Sequence, residues 1–194
     1  MKNDFAHTPA SPGEPVVRRL WWCERDLWRQ HLLRLNPSAR RERFAGVISD
    51  AYIERYCAGA DPFSTALFGA FVDGELRAAG EFALLDREEP RRAELAFSVE
   101  EGWQNQGLGS ALFQRVLTHA RNQRVYEAFI VAEPGNVRMH RIAEKHGMML
   151  SLNDGELVGR LRLDGPSCGS MVSELVGETV ALWRQAPVLR ASAC

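Results

Sequence analysis

Residues 99–112 read VEEGWQNQGLGSAL. A strand-like run ends at Val99, a short polar turn follows, and Gly107 and Gly109 fall at the first turn of a helix predicted over Gly109–Arg121. Glycines at such a place let the backbone approach a ligand closely and leave N–H groups without partners. The positive end of the helix adds to them, so the stretch reads as a cradle for a pyrophosphate. Two familiar cradles do not fit. A dinucleotide fingerprint requires a third glycine, where this chain has Leu112, and must directly follow the first strand. A Walker A loop requires Gly-Lys followed by Ser or Thr, which the chain lacks. A glycine turn that only eases strand-to-helix packing is the plainer alternative.

Outward from this loop the hydrophobic period alternates between two and 3.6. Upstream, Arg92–Val99 is predicted as a strand, with Ala93, Leu95, Phe97 and Val99 on one face and Glu94, Ala96 and Ser98 on the other. Before it, Thr65–Val72 and Glu75–Leu85 flank Asp73-Gly74, the turn chemistry of a type I′ hairpin. The charged segment Asp86–Arg91 is predicted as a loop. Val16–Trp22 reads as a first strand and Glu24–Leu35 as a helix, with Leu27, Trp28, His31, Leu32 and Leu35 at helical spacing. Asn36-Pro37-Ser38 then caps one further helix running to about Ala58. Downstream, Val125–Ala132 is a buried strand and Asn136–His146 an amphipathic helix ending at Gly147. Met148–Leu152 and Glu156–Leu163 form a hairpin, and Ser173–Trp183 a last helix. The expected organisation is a disordered tail over 1–15, one α/β domain over 16–164 and a helical extension over 165–194.

The chain has 194 residues, with 24 basic and 25 acidic side chains and a net charge of -1. That balance gives no drive onto nucleic acid or an anionic membrane, so neither is an expected partner. No run approaches a membrane span and no secretory signal opens the chain, so a cytoplasmic location is expected. Cys23, Cys57, Cys168 and Cys194 are scattered, with no C-x-x-C pair. The five histidines complete no zinc spacing. Reduced thiols and no metal are therefore expected. Only Lys2 and Lys145 are lysines, so arginine makes up 22 of the 24 basic residues. Coding bias explains such a skew; so would an enzyme that modifies lysine and keeps few of its own.

Gln104-Asn-Gln-Gly107-Leu-Gly109 resembles the Q/R-x-x-G-x-G/A motif of the GNAT superfamily of acyl-CoA N-acyltransferases. A second block, from Asn136 through Met139 to Lys145, Gly147 and Met148, looks like that family's N-x-x-A/M…E-K-x-G-F segment. The resemblance covers about residues 60–163. Leu35–Phe44 and the Met139 variant also look like the acetyltransferase domain of bacterial protein-lysine acyltransferases. The resemblance implies a mixed, mostly antiparallel sheet of six to seven strands, flanked by helices, whose fourth and fifth strands splay apart to admit acetyl-CoA. It implies that Phe97, Ser98 and Val99 meet the pantetheine arm. It further implies that Gln104, Asn105, Gln106, Gly107, Leu108, Gly109 and Ser110 form the pyrophosphate loop, and that Asn136 contacts the cofactor, although a helix N-cap also explains Asn136.

An amine must be neutral to attack a thioester, and a lysine amine has a pKa near 10.4, so a base is required. Glu94 is the candidate catalytic residue, because small neighbours Ala96 and Ser98 leave room for substrate and the resemblance places a glutamate on this strand. A solvated carboxylate paired with Arg91 or Arg92 is the alternative, and Glu81 is the reserve. Where many family members carry a tyrosine acid, this chain has Ala143, and Ser98 and His140 are weak substitutes. The expected activity is acetyl transfer from acetyl-CoA to a primary amine by direct attack, the acceptor being protein lysine or a small molecule. A CoA-binding sensor without turnover is the alternative, and the expected state is monomer or homodimer.

Overall fold

The computed structural model describes residues 13–86, 88–172 and 174. Most of the expected N-terminal tail and nearly all of the helix expected over Ser173–Trp183 lie outside the described residues. The elements are β1 (Val16–Arg19), α1 (Arg25–Arg34), α2 (Pro37–Phe44), α3 (Asp50–Gly59), β2 (Thr65–Val72), β3 (Glu75–Leu84) and β4 (Arg92–Val99). They continue with α4 (Leu108–Asn122), β5 (Glu127–Ala132), α5 (Val137–Lys145), β6 (Met149–Asn153) and β7 (Glu156–Arg162). Short 3-10 turns occupy Trp22–Glu24 and Glu101–Trp103.

The strands form one seven-stranded sheet in the order β1-β2-β3-β4-β5-β7-β6. Every neighbouring pair is antiparallel except β4 and β5. This is the mixed α/β sheet that the sequence led us to expect. The β2–β3 turn has Asp73 at φ 51° and Gly74 at φ 80°, the two positive values a type I′ turn demands. β4 and β5 pair only through Arg92, Ala93 and Glu94. Beyond Glu94 no strand among the described residues lies beside the outer edge of β4.

Period-two alternation sends successive side chains of β2, β3 and β4 into two separate cores. On one face Leu112, Phe113, Val116, Leu117 and Ala120 of α4 pack on Phe68, Phe82, Leu95 and Phe97. Phe113 is fully buried and stacked between Phe97 and His146, with centroids 4.9 Å away in each case. On the other face Trp28 and Leu32 of α1 and Ile53 and Cys57 of α3 cover Leu67, Phe71, Leu76 and Ala79. The helices before β2 thus wall one face of the sheet, beside the opening between β4 and β5.

Three expectations need correction. The single helix expected to run to about Ala58 is two. Ala45 adopts a left-handed conformation that ends α2, and Ser49 starts α3 by accepting from the Tyr52 N–H. Because the breaking residue is alanine rather than glycine, nothing in the local sequence marked the break. The first strand stops at Arg19, where the buried Arg18 guanidinium turns onto Glu24 at 2.7 Å and over the Phe71 ring. Finally, Cys57 and Cys168 are free but Cys23 is disulfide-bonded, so the thiols are not all reduced.

Replacing Phe113 by alanine removes the ring that joins α4, β4 and α5. The Phe113→Ala variant is expected to lose about 3–5 kcal/mol of stability, measured by urea unfolding with an unchanged m-value as the check that only stability has moved.

Candidate active site

The site is built on the turn between β4 and α4. Gly107, the residue that starts α4, sits at φ 84°, and no side chain caps this helix. In contrast α2, α3 and α5 begin at Asn36, Ser49 and Asn136, whose side chains accept from the backbone. The first N–H groups of α4 are therefore left to a ligand or water. Asn105 is also left-handed, at φ 60°, and the loop is fastened to itself by amide side chains. Gln104 donates to the Val99 carbonyl at 3.2 Å and Gln106 to that of Gly102 at 3.1 Å. At Gly109 the requirement is space: a Cβ there would stand 3.2 Å from Ile142 Cδ1, filling the gap between α4 and α5.

A cavity of about 260 Å³ opens over this turn. Phe97, Ser98, Val99, Gln104, Asn105, Gly107, Leu108, Gly109, Ser110 and Asn136 all line it, while Gln106 does not. Asn136 is buried and caps α5 through Met139, so its carbonyl oxygen is committed to the helix start. Sequence reasoning missed the far wall. Ala39 and Glu42 of α2 line the cavity, as do Arg138 and Arg141 of α5. Two ion pairs hold α2 across the opening: Glu42 with Arg138 at 2.6 Å and Arg41 with Glu133 at 3.4 Å. No local motif announces these pairs, because each joins residues some ninety positions apart.

A second cavity, of about 270 Å³, lies along the same strand. Glu94 and Ala96 of β4 line it, together with Glu81, Glu156, Arg43, Tyr52 and Tyr56. The register sets Glu81 opposite Ala96 and Glu94 opposite Ala83, so the two carboxylates are diagonal neighbours on one face. Their situations differ sharply. Glu81 is buried, ion-paired with the Arg43 guanidinium at 2.5 Å, and accepts the Tyr56 hydroxyl at 2.8 Å. Glu94 makes no hydrogen bond or ion pair with a described residue. The arginines beside it in sequence are engaged elsewhere, Arg92 with Asp86 and Arg91 with Glu89. Burial pushes the Glu94 carboxyl above its ordinary value; Arg43 opposes that shift, and Glu81 and Glu156 add to it.

Behind Ser98 stands a polar array that the sequence did not reveal. His31, fully buried in α1, places Nε2 2.9 Å from Ser98 Oγ and Nδ1 3.2 Å from Glu100 Oε1. Glu100 also takes Arg34 at 2.9 Å and Arg77 at 3.0 Å. Burial acts against its charge, but hydrogen bonds from His31 and Arg77 outweigh it and hold the carboxyl at about 2. Burial lowers the His31 pKa against the hydrogen bond to Glu100, and so favours the neutral ring near pH 7. An ionised Glu100 fixes the proton on Nδ1, which leaves Nε2 to accept the Ser98 hydroxyl. The array ties α1 to the end of β4. The only sequence signal was a histidine on the apolar stripe of a helix. Ala143 is fully buried in the core on α5, and the α5 residues that do line the cleft, Arg138, Met139, Arg141 and Ile142, bring no hydroxyl.

Residues 18–148 match the family model described as Acetyltransferase (GNAT) family. No curated protein matches the sequence. The fold is similar to that of the GNAT domain of PAT from S. lividans, with a TM-score of 0.63 and 21% identity over 76% of this chain and 89% of that one. It is similar to the PaiA N-acetyltransferase of Thermoplasma acidophilum in complex with coenzyme A, at TM-score 0.58 and 14% identity over 78% and 100% of the two chains. It is also similar to YncA of Salmonella typhimurium, solved with its cofactor acetyl-CoA, at TM-score 0.58 and 13% identity over 80% and 98%.

Because the Glu100 pKa is depressed on folding, its contribution to stability is complete above the ordinary value of 4.5 and is lost as the pH falls toward about 2. Glu100→Gln is accordingly expected to be less stable than the parent at pH 7, and to lose stability less steeply between pH 4.5 and 2, as followed by thermal unfolding across that range.

Proposed function

The chain belongs to the acetyltransferase (GNAT) family, and from that premise we propose that it transfers the acetyl group of acetyl-CoA directly to a primary amine, a protein lysine being the leading acceptor. One observation carries the reading: the free edge of β4 beyond Glu94 passes from one cavity to the other. The glycine turn that would hold a cofactor's phosphates is at one end, and an unpaired carboxylate is at the other.

The residues present suit the cofactor. The uncapped start of α4 offers N–H groups to an anion, Gly109 keeps the cleft open, and the unpaired edge of β4 can hydrogen-bond an extended amide-bearing arm. When bound, acetyl-CoA supplies an acetyl group activated as a thioester. The chain's own residues then have three tasks. β4 and the glycine turn hold the donor at a fixed depth, and α2, pinned by Glu42 and Arg41, covers the cleft. The second cavity receives the amine against Tyr52 and Tyr56, where Glu94 and Glu156 favour a cation.

Glu94 then accepts a proton from the incoming ammonium. Glu81 cannot share that task while Arg43 and Tyr56 occupy its oxygens. Holding both reactants in adjoining cavities supplies much of the rate through proximity, and the base adds a factor of about 10²–10⁴. With Ala143 buried, no side chain is assigned to protonate the departing sulfur; a thiolate with a pKa near 8.5 can leave unaided.

Glu94→Gln is expected to lower kcat by about 10²-fold or more near pH 7 and to recover at high pH, where the amine loses its proton to solvent. The wild-type rate should rise with pH through a limb above the ordinary glutamate range, since the Glu94 pKa is raised. Thiol release measured with lysine peptides and a panel of small amines checks both. An unchanged pH profile in the variant removes Glu94 from the role. Acetyl-CoA binding by calorimetry without turnover on any amine would make the protein a cofactor sensor.

A further inference from the structure

Lysine is nearly absent from this chain, and where the folded one stands is informative. Of the two lysines, only Lys145 lies among the described residues. It is the last residue of α5, its side chain is exposed, and its Nζ is 3.3 Å from Ser110 Oγ. Ser110 belongs to the first turn of α4 and lines the cleft above the glycine turn. The one amine in the described structure is therefore anchored beside the proposed phosphate cradle. The cations that line that cleft, Arg138 and Arg141, are guanidiniums that acyl donors do not modify under ordinary conditions.

We infer that Lys145 is an acetylation site that sets cofactor affinity. As an ammonium it adds a positive charge at the rim of the cradle, and as an acetamide it does not. The inference rests on the reading that acetyl-CoA binds at the glycine turn. In the modifying step the neutral Nζ attacks the thioester carbonyl of acetyl-CoA. The C–S bond breaks, the amide forms, and the proton lost by nitrogen ends on the CoA thiol. The thioester of a bound acetyl-CoA is at the opposite end of the molecule from its phosphates. A second copy of the chain is therefore the donor's carrier, and Lys145 is its acceptor. The modification lowers the charge at the cradle as acetyl-CoA accumulates, giving the enzyme a brake made from its own reaction.

The test uses the full chain. After incubation with acetyl-CoA, peptide mass spectrometry is expected to find acetyl-lysine at 145, with initial labelling per molecule rising with protein concentration. Calorimetry with CoA then compares wild type with Lys145→Arg, which keeps the charge but resists acetylation, and Lys145→Gln, which removes it. The Arg variant should bind like wild type and be unaffected by preincubation. The Gln variant and preacetylated wild type should bind about three- to tenfold more weakly at low salt, a gap that closes as salt screens the charge. A merely structural role would not produce that salt dependence. Absence of label at Lys145, labelling that does not depend on protein concentration, or a Gln variant that binds CoA as tightly as wild type at low salt overturns the inference while leaving the proposed activity intact. Failure of the wild type to bind CoA overturns both.

Discussion

After Glu94 this sheet loses a hydrogen-bonded neighbour in its interior. A strand edge with unpaired backbone groups is costly to bury and invites a partner, and everything at the candidate site is arranged around that edge. The glycine turn and the uncapped start of α4 close one end. The paired segment Arg92–Glu94 closes the other. α2 crosses the opening with Ala39 as its only buried residue and Phe44 packed edge-on against Tyr52 and Tyr56, and its ion pairs with Arg138 and Glu133 add to that packing. The backbone groups left open there are those that β5 would take if the two strands stayed paired along their whole length.

Glu81 and Glu94, two of the three carboxylates that line the second cavity, show how a fold divides labour between like groups. Glu81 has a complete set of partners, and a buried pair of that kind is retained at the cost of desolvating both charges. It fixes Arg43 at the end of α2 and Tyr56 on α3, and so shapes the wall. Glu94 has none of these partners and keeps the raised proton affinity that burial confers. A carboxylate without a partner at the edge of a cavity is available for proton transfer; one held by arginine and tyrosine is not.

Much of the architecture was legible in the chain. Alternation over Arg92–Val99, the Asp73-Gly74 turn and the apolar stripe of α4 each bury one face, and a period is a local property. The glycine turn was legible for the same reason, since a turn ahead of a helix lies within a few consecutive residues. What stayed hidden was set by contacts between distant segments. Ala45 takes a glycine's conformation without a glycine's name, so the break between α2 and α3 could not be seen. Arg43, Tyr52, Tyr56 and Glu156 come from elements whose meeting no spacing records, and Cys23 forms a disulfide that no motif signals.

The sequence by itself determined the order of the strands and of most helices, the faces they would bury, and the glycine turn ahead of α4, because propensity, period and backbone freedom are written residue by residue. Only the tertiary structure decided which carboxylate would stand unpaired. Glu81 and Glu94 occupy the same face of adjacent strands and carry the same chemical group. What separates them is the approach of one guanidinium, Arg43, from a helix that reaches the sheet from the other side of the cleft. Pairing energies depend on distance and burial, and those exist only once the chain is folded.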